Sequence, residues 1–180
     1  MTPPVLETDR LILRPHRVQD FADVAALWAN PETVRFIQPA VETPEGAWAK
    51  LMFHHGHWQA MGFGVWVITG RSSGRYLGET GFFVTPRQCD PLLGDAVEAS
   101  WVLAPEAQGQ GIAAEAVLRT HAWADTAGLW PETVCLLDPE NTASQKLAAK
   151  TGYEFRQEVQ YRGGTSLVMA RKTGQPGTAA

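Results

Sequence analysis

Apolar positions along this chain fall into two periods, one suited to helices and one to strands. Phe21, Val24, Ala25, Leu27 and Trp28 share one stripe of a helix predicted from Gln19-Asp20 to about Asn30, where Asn30-Pro31 breaks it. A second helix is predicted from Pro44 to about Ala60, with Trp48, Leu51 and Met52 inward. Short apolar runs at Leu11–Arg14, 62–69, 75–85 and 95–103 read as strands, the middle two joined by the polar turn 70–74 into a hairpin. Residues 86–94 read as a loop. A helix to about Ala127, a strand at 133–137 and a helix at 141–151 follow, with Asn141 as its N-cap and Gly152 as its stop. Residues 153–161 and 165–171 read as a closing hairpin turned at Arg162-Gly163-Gly164. The order β-α-α-β-β-β-α-β-α-β-β predicts an α/β (α+β) layered fold: one mixed, mostly antiparallel sheet flanked by helices. The 95–137 piece supplies its parallel element. Residues 1–172 are expected to form a single domain, and 173–180 a disordered tail.

Between the strand at 95–103 and the next helix lies Gln108-Gly109-Gln110-Gly111-Ile112-Ala113-Ala114. Glycines here permit positive φ and close approach of the backbone to a ligand. The first amides of the helix have no intrahelical partner, and the helix dipole favours negative charge there. This turn is therefore expected to hold a pyrophosphate.

Composition narrows the class. The chain has 180 residues, 44% hydrophobic and 19% charged, with net charge −4. No cluster of Lys and Arg suggests nucleic acid. Cys89 and Cys135 have no metal-ligand or redox spacing and read as ordinary thiols. Neither a signal peptide nor a membrane span is expected, so the reading is cytoplasmic. His54, His55 and His57 lack a nearby Cys or carboxylate in sequence, so no metal is expected; lining an acceptor pocket is the next reading, and surface exposure the favoured one.

The chain resembles the Gcn5-related N-acetyltransferase (GNAT) superfamily, in the branch of the ribosomal-protein N-terminal (alanine) acetyltransferases. Three motifs in order carry the resemblance. Gln108, Gly111 and Ala113 meet the superfamily's Gln/Arg-x-x-Gly-x-Gly/Ala signature. The opening Leu6, Thr8, Arg10, Leu11, Leu13, Arg14 and Pro15 matches that of the branch. Asn141, Ser144 and Gly152-Tyr153 match a third pattern. It spans about residues 6–171.

The resemblance implies acetyl-CoA as cosubstrate, held between two splayed strands. The pantetheine arm would pair with the backbone at Trp101, Val102 and Leu103. Amides from Gln108 through Gly109, Gln110, Gly111, Ile112 and Ala113 to Ala114 would hold the pyrophosphate, and Asn141 would touch the thiol end. Many members carry a Tyr seven residues after the Asn as general acid; here that position is Ala148. Ser144, a water or a Tyr from elsewhere is left for that task. Transfer needs a base to free the amine, and Glu98 is the first candidate, with Glu79 and Glu158 behind it. A backbone N–H near Val102 or Leu103 would serve the oxyanion.

The expected activity is acetyl transfer to a primary amine, on a protein N-terminus or a small molecule, by direct attack in a ternary complex. A CoA-binding sensor without turnover is the alternative. Expected partners are acetyl-CoA and the amine, without nucleic acid or membrane, in a monomer or homodimer.

Overall fold

The computed structural model describes residues 3–174. Nine strands form one sheet in the order β1-β2-β3-β4-β6-β7-β9-β8-β5. The elements are β1 (Leu6–Glu7), β2 (Leu11–Pro15), α1 (Phe21–Trp28), α2 (Pro31–Val34), α3 (Pro44–Met61), β3 (Val65–Gly70), β4 (Tyr76–Phe83), β5 (Cys89–Asp90), β6 (Glu98–Leu103), α4 (Ile112–Ala127), β7 (Glu132–Leu137), α5 (Thr142–Lys150), β8 (Glu154–Tyr161) and β9 (Gly164–Lys172). Every registered pair is antiparallel except β6 with β7. The mixed, mostly antiparallel sheet is thus the expected one. Residues 175–180 of the expected tail lie outside the described residues, while Thr173 donates its N–H to the Pro131 carbonyl at 3.0 Å.

The parallel pair decides the shape of the molecule. β6 and β7 register only at Glu98↔Val134, where the Val134 N–H reaches the Val97 carbonyl at 2.9 Å. Beyond that point β6 stays paired to β4 and β7 to β9. The strands diverge, and one backbone edge of β6 is left without a neighbouring strand.

Side chains on β6 alternate between two cores, as the pleat requires. Ala99, Trp101 and Leu103 belong to a cluster with Ile112 and Ala116 of α4. Val102 packs instead with Val24, Leu27 and Trp28 of α1 and Leu51 of α3. The sheet therefore separates a face covered by α4 and α5 from a face covered by α1 and α3.

Two local expectations change. The buried stripe of α3 is Ala47, Leu51, His54, His57 and Trp58, and Trp48 is 42% exposed rather than inward. Leu51 is inward as expected and Met52 packs against the same core cluster, while Ala47 takes the place expected of Trp48 and two histidines extend the stripe. The 86–94 loop contains β5, which pairs with β8. A two-residue strand of that kind is held only by its distant partner and leaves no period of its own.

Gly78 on β4 illustrates how closely the sheet is built around β6. A Cβ there would lie 2.2 Å from the Val102 carbonyl oxygen and 2.8 Å from Leu103 Cα, at a φ of +146°. Neither contact is with a flexible side-chain end. Gly78→Ala is expected to lower stability by about 3 kcal/mol through overpacking and backbone strain; a denaturant melt showing less than about 1 kcal/mol would mean β4 can shift away from β6.

Candidate active site

The divergence of β6 and β7 opens a cleft of about 910 Å³, lined among others by Glu79, Glu98, Trp101, Val102, Ser144 and Tyr161. The glycine turn follows the end of β6, to which Gln108 Nε2 ties it by donating to the Leu103 carbonyl at 3.2 Å. Gly109 and Gly111 take left-handed φ values of 72° and 75°, and Gly111 is the N-cap of α4 with no side chain satisfying the first amides. Residues 108–111 are exposed and Ile112 is buried, anchoring the helix start in the core. Arg10 braces the turn, donating to the Gln110 carbonyl at 3.0 Å and pairing with Glu115 at 2.6 Å. Thr8 adds a hydroxyl donated to Glu115 at 2.5 Å. The amides of Ile112, Ala113 and Ala114 thus stand at the start of a sixteen-residue helix with no side chain capping it.

At the start of α5, Asn141 Oδ1 accepts the Ser144 N–H at 3.0 Å. This assigns the carbonyl oxygen of the side chain to the cap and leaves the Nδ2 amide as a donor. The Trp101 indole N–H donates to Ser144 Oγ at 3.2 Å. Ala148 is fully buried in the core one turn further along.

Two buried carboxylates face the other side. Glu98 is 8% exposed. Arg87 Nε and Nη2 grip its two oxygens, the latter at 2.7 Å, while Arg87 Nη1 donates to the Tyr161 hydroxyl at 2.6 Å. Burial raises the Glu98 carboxyl above its ordinary range, although Arg87 pulls it the other way. Burial is the larger influence because the side chain has little contact with water.

Glu79 is 2% exposed and collects donors from distant parts of the chain. Its Oε1 meets His16 Nε2 at 2.9 Å and accepts from the Tyr76 hydroxyl at 3.0 Å. Its Oε2 accepts from the Trp28 indole at 3.2 Å, with His54 Nε2 3.9 Å away. Burial raises the Glu79 carboxyl, but the hydrogen bond and charge of His16 outweigh it, so it falls to about 2. His54 is 9% exposed, correcting the surface reading. Burial depresses its imidazole to about 3. Ligand-type atoms of His16, His54 and Glu79 lie within 4.8 Å of one another. With its oxygens already engaged, Glu79 works as the hub of a hydrogen-bond cluster. Sequence spacing contained no hint of it, since His16 and Glu79 are 63 residues apart.

The remaining candidates sort by position. Glu158 is exposed on β8 and does not line the cleft. Tyr153 is 2% exposed, its hydroxyl held by His121 and Thr133, both at 2.8 Å. Tyr76 is committed to Glu79. Tyr161 is the tyrosine that borders the cleft. Trp58 is 3% exposed in the core. No helix among the described residues is long and apolar enough to cross a membrane.

Comparison with known proteins agrees with this architecture. Residues 10–154 match the family model described as "Acetyltransferase (GNAT) domain". An uncharacterised N-acetyltransferase of Bacillus subtilis (strain 168), YoaA, is 25% identical over 166 residues, 90% of this chain and 91% of that protein. A GnaT-family acetyltransferase structure from Bordetella pertussis superposes with a TM-score of 0.82 at 29% identity, covering 94% of this chain and 99% of the other. The fold is shared with RimL, a ribosomal L7/L12 α-N-protein acetyltransferase solved in complex with coenzyme A. That match has a TM-score of 0.77 and 16% identity, over 94% of this chain and 98% of RimL. A family model matched across most of the chain, on a sheet split at its one parallel pair, places this protein in the GNAT acetyltransferase family.

Proposed function

We propose that the protein moves an acetyl group from acetyl-CoA to a primary amine within a ternary complex. The observation that carries this reading is the cleft itself. It opens where β6 and β7 part, is bordered by the buried carboxylates Glu79 and Glu98, and runs along β6, the strand that leads in the chain to the glycine turn at the α4 N-terminus. The donor and the acceptor would approach from opposite faces and meet where the strands part.

Acetyl-CoA fits the first face. The amides from Gln108 to Ala114 would take the pyrophosphate, and the free edge of β6 at Trp101, Val102 and Leu103 would pair with the pantetheine amides. Asn141 Nδ2 would donate to a pantetheine carbonyl. RimL, which shares the fold, was solved with coenzyme A.

On the second face an ammonium must lose a proton before its lone pair can attack. Glu98 is the proposed acceptor of that proton. Arg87 uses one lone pair on each oxygen and leaves the others available, and burial lifts the carboxyl toward useful basicity. The oxyanion would rest on a backbone N–H of β6 near Val102 or Leu103. The acceptor amine belongs to a protein N-terminus or a small molecule.

Calorimetry of acetyl-CoA against a pantetheine thioester lacking the nucleotide and pyrophosphate tests the first half. Tight binding of the former with weak binding of the latter is expected. A thiol-release assay over short peptides with free α-amines and aliphatic polyamines tests the second. Glu98→Gln is expected to lower kcat about 100-fold with little change in acetyl-CoA affinity. If kcat stays within threefold of wild type, another group takes the proton. Binding without turnover over the whole panel would instead favour a CoA-binding regulatory role.

A further inference from the structure

The leaving thiolate of CoA needs a proton, and the position where many relatives carry a tyrosine is the buried Ala148. Ser144 lies one helical turn before it, on the same side of α5 and on the wall of the cleft. A serine hydroxyl can donate its proton in more than one direction, so what fixes that direction decides whether it reaches sulfur.

We propose that Trp101 is the positioning residue: its indole N–H occupies a lone pair of Ser144 Oγ and leaves the hydroxyl proton free for the departing thiolate. This rests on the transferase reading given above. An indole nitrogen only donates, so the 3.2 Å contact runs from Trp101 Nε1 to Ser144 Oγ and never the reverse. Among the described residues, the Ser144 hydroxyl has no hydrogen bond to a protein acceptor; its backbone N–H is the group that Asn141 caps. The proton is thus unused by the protein, on an oxygen that lines the cleft.

The indole is itself held. Its ring lies edge-on to Tyr153 at 6.3 Å, and Tyr153 is locked by His121 and Thr133. Trp101 also packs against the core cluster that contains Ala148. A small residue at 148 and an indole reaching from β6 to the first turn of α5 are consistent with each other. Together they place a hydroxyl where the usual phenol is missing.

The carbon–sulfur bond of the tetrahedral intermediate breaks and its electron pair leaves on sulfur. The Ser144 O–H bond breaks and an S–H bond forms, giving CoA thiol. The attacking nitrogen gives its surplus proton to cleft water, and water returns one to the serine oxygen.

A double-mutant cycle tests the proposal, using acetyl-CoA and the best amine of the panel above with thiol release as readout. Ser144→Ala is expected to lower kcat about 100-fold. Trp101→Phe, which keeps a ring and removes the N–H, is expected to lower kcat about fivefold with KM for acetyl-CoA within twofold. In the Ser144→Ala background the same change should have less than about a 1.5-fold effect, because nothing remains for the indole to orient. A merely structural Trp101 would raise KM, and its effect would persist undiminished without Ser144; that additivity overturns the proposal. Should the Phe variant fail to fold, Trp101→Leu carries the same cycle with the same two outcomes. If wild type binds acetyl-CoA but acetylates no amine, the transferase reading fails and the proposal with it. If wild type turns over and the cycle is additive, only the proposal fails.

Discussion

Gly111→Glu is expected to abolish acetyl-CoA binding, weakening it at least about 100-fold in a calorimetric titration. Two effects combine. Gly111 holds φ = +75° as the N-cap of α4, a conformation that costs any other residue about 1–3 kcal/mol. The new carboxylate would then stand in front of the first amides of the helix, in the place proposed for the pyrophosphate. A Cβ at this position would lie 3.6 Å from Arg10 Nη2, a cation able to hold the added charge there. Gly111→Ala separates the two effects, because it adds strain without charge. It is expected to cost some stability and a few-fold in affinity. Equal affinity in wild type and Gly111→Glu would refute the placement of the pyrophosphate at this turn.

Glu79→Ala is expected to be the most destabilising single change in the acceptor face. It strips the acceptor from His16, Tyr76 and Trp28 at once, and His16 and Trp28 are buried to 3% and 6% exposure. Breaking a buried, hydrogen-bonded charge of this kind costs about 3–5 kcal/mol. For a chain of this size that is a fall in Tm of about 10 °C. Glu79→Gln keeps the shape and part of the bonding and should lose less. A fall under 3 °C for the alanine variant would mean that water enters and satisfies the donors.

The pH dependence follows with its sign. The Glu79 carboxyl is lowered in the folded state to about 2, so its contribution is complete above the ordinary carboxylate range and is lost as pH falls toward 2. His54 and His121 are lowered to about 3 and about 4, mainly by burial. Below about 6.5 the unfolded chain takes up protons that the folded one refuses, so these two also favour unfolding in acid. Stability should therefore decline steadily from about pH 6.5 downward. A chemical-denaturation series at pH 7, 5.5 and 4 measures it, and a flat profile would contradict the burial of these groups.

Several features of the protein were determined by the sequence alone. The spacing of apolar residues placed the main helices and strands, because the periods 3.6 and 2 are properties of the local backbone. Gly109 and Gly111 before an apolar helix announced a positive-φ turn and an open helix N-terminus, and the structure contains both. Asn141 and Gly152 bounded α5 for equally local reasons: a side chain reaching an amide three residues on, and a residue without Cβ at φ = +95°.

What the tertiary structure decided is everything that joins distant residues. It brought His16, Trp28 and Tyr76 to Glu79, and Arg87 to Glu98. It buried His54, which an apolar count does not mark as inward, and it set Trp101 against Ser144, 43 residues further on. It also paired β5 with β8, which a two-residue segment could not signal. No local period encodes such meetings. They arise when the order of the sheet brings segments distant in the chain side by side and the helices fold over its two faces.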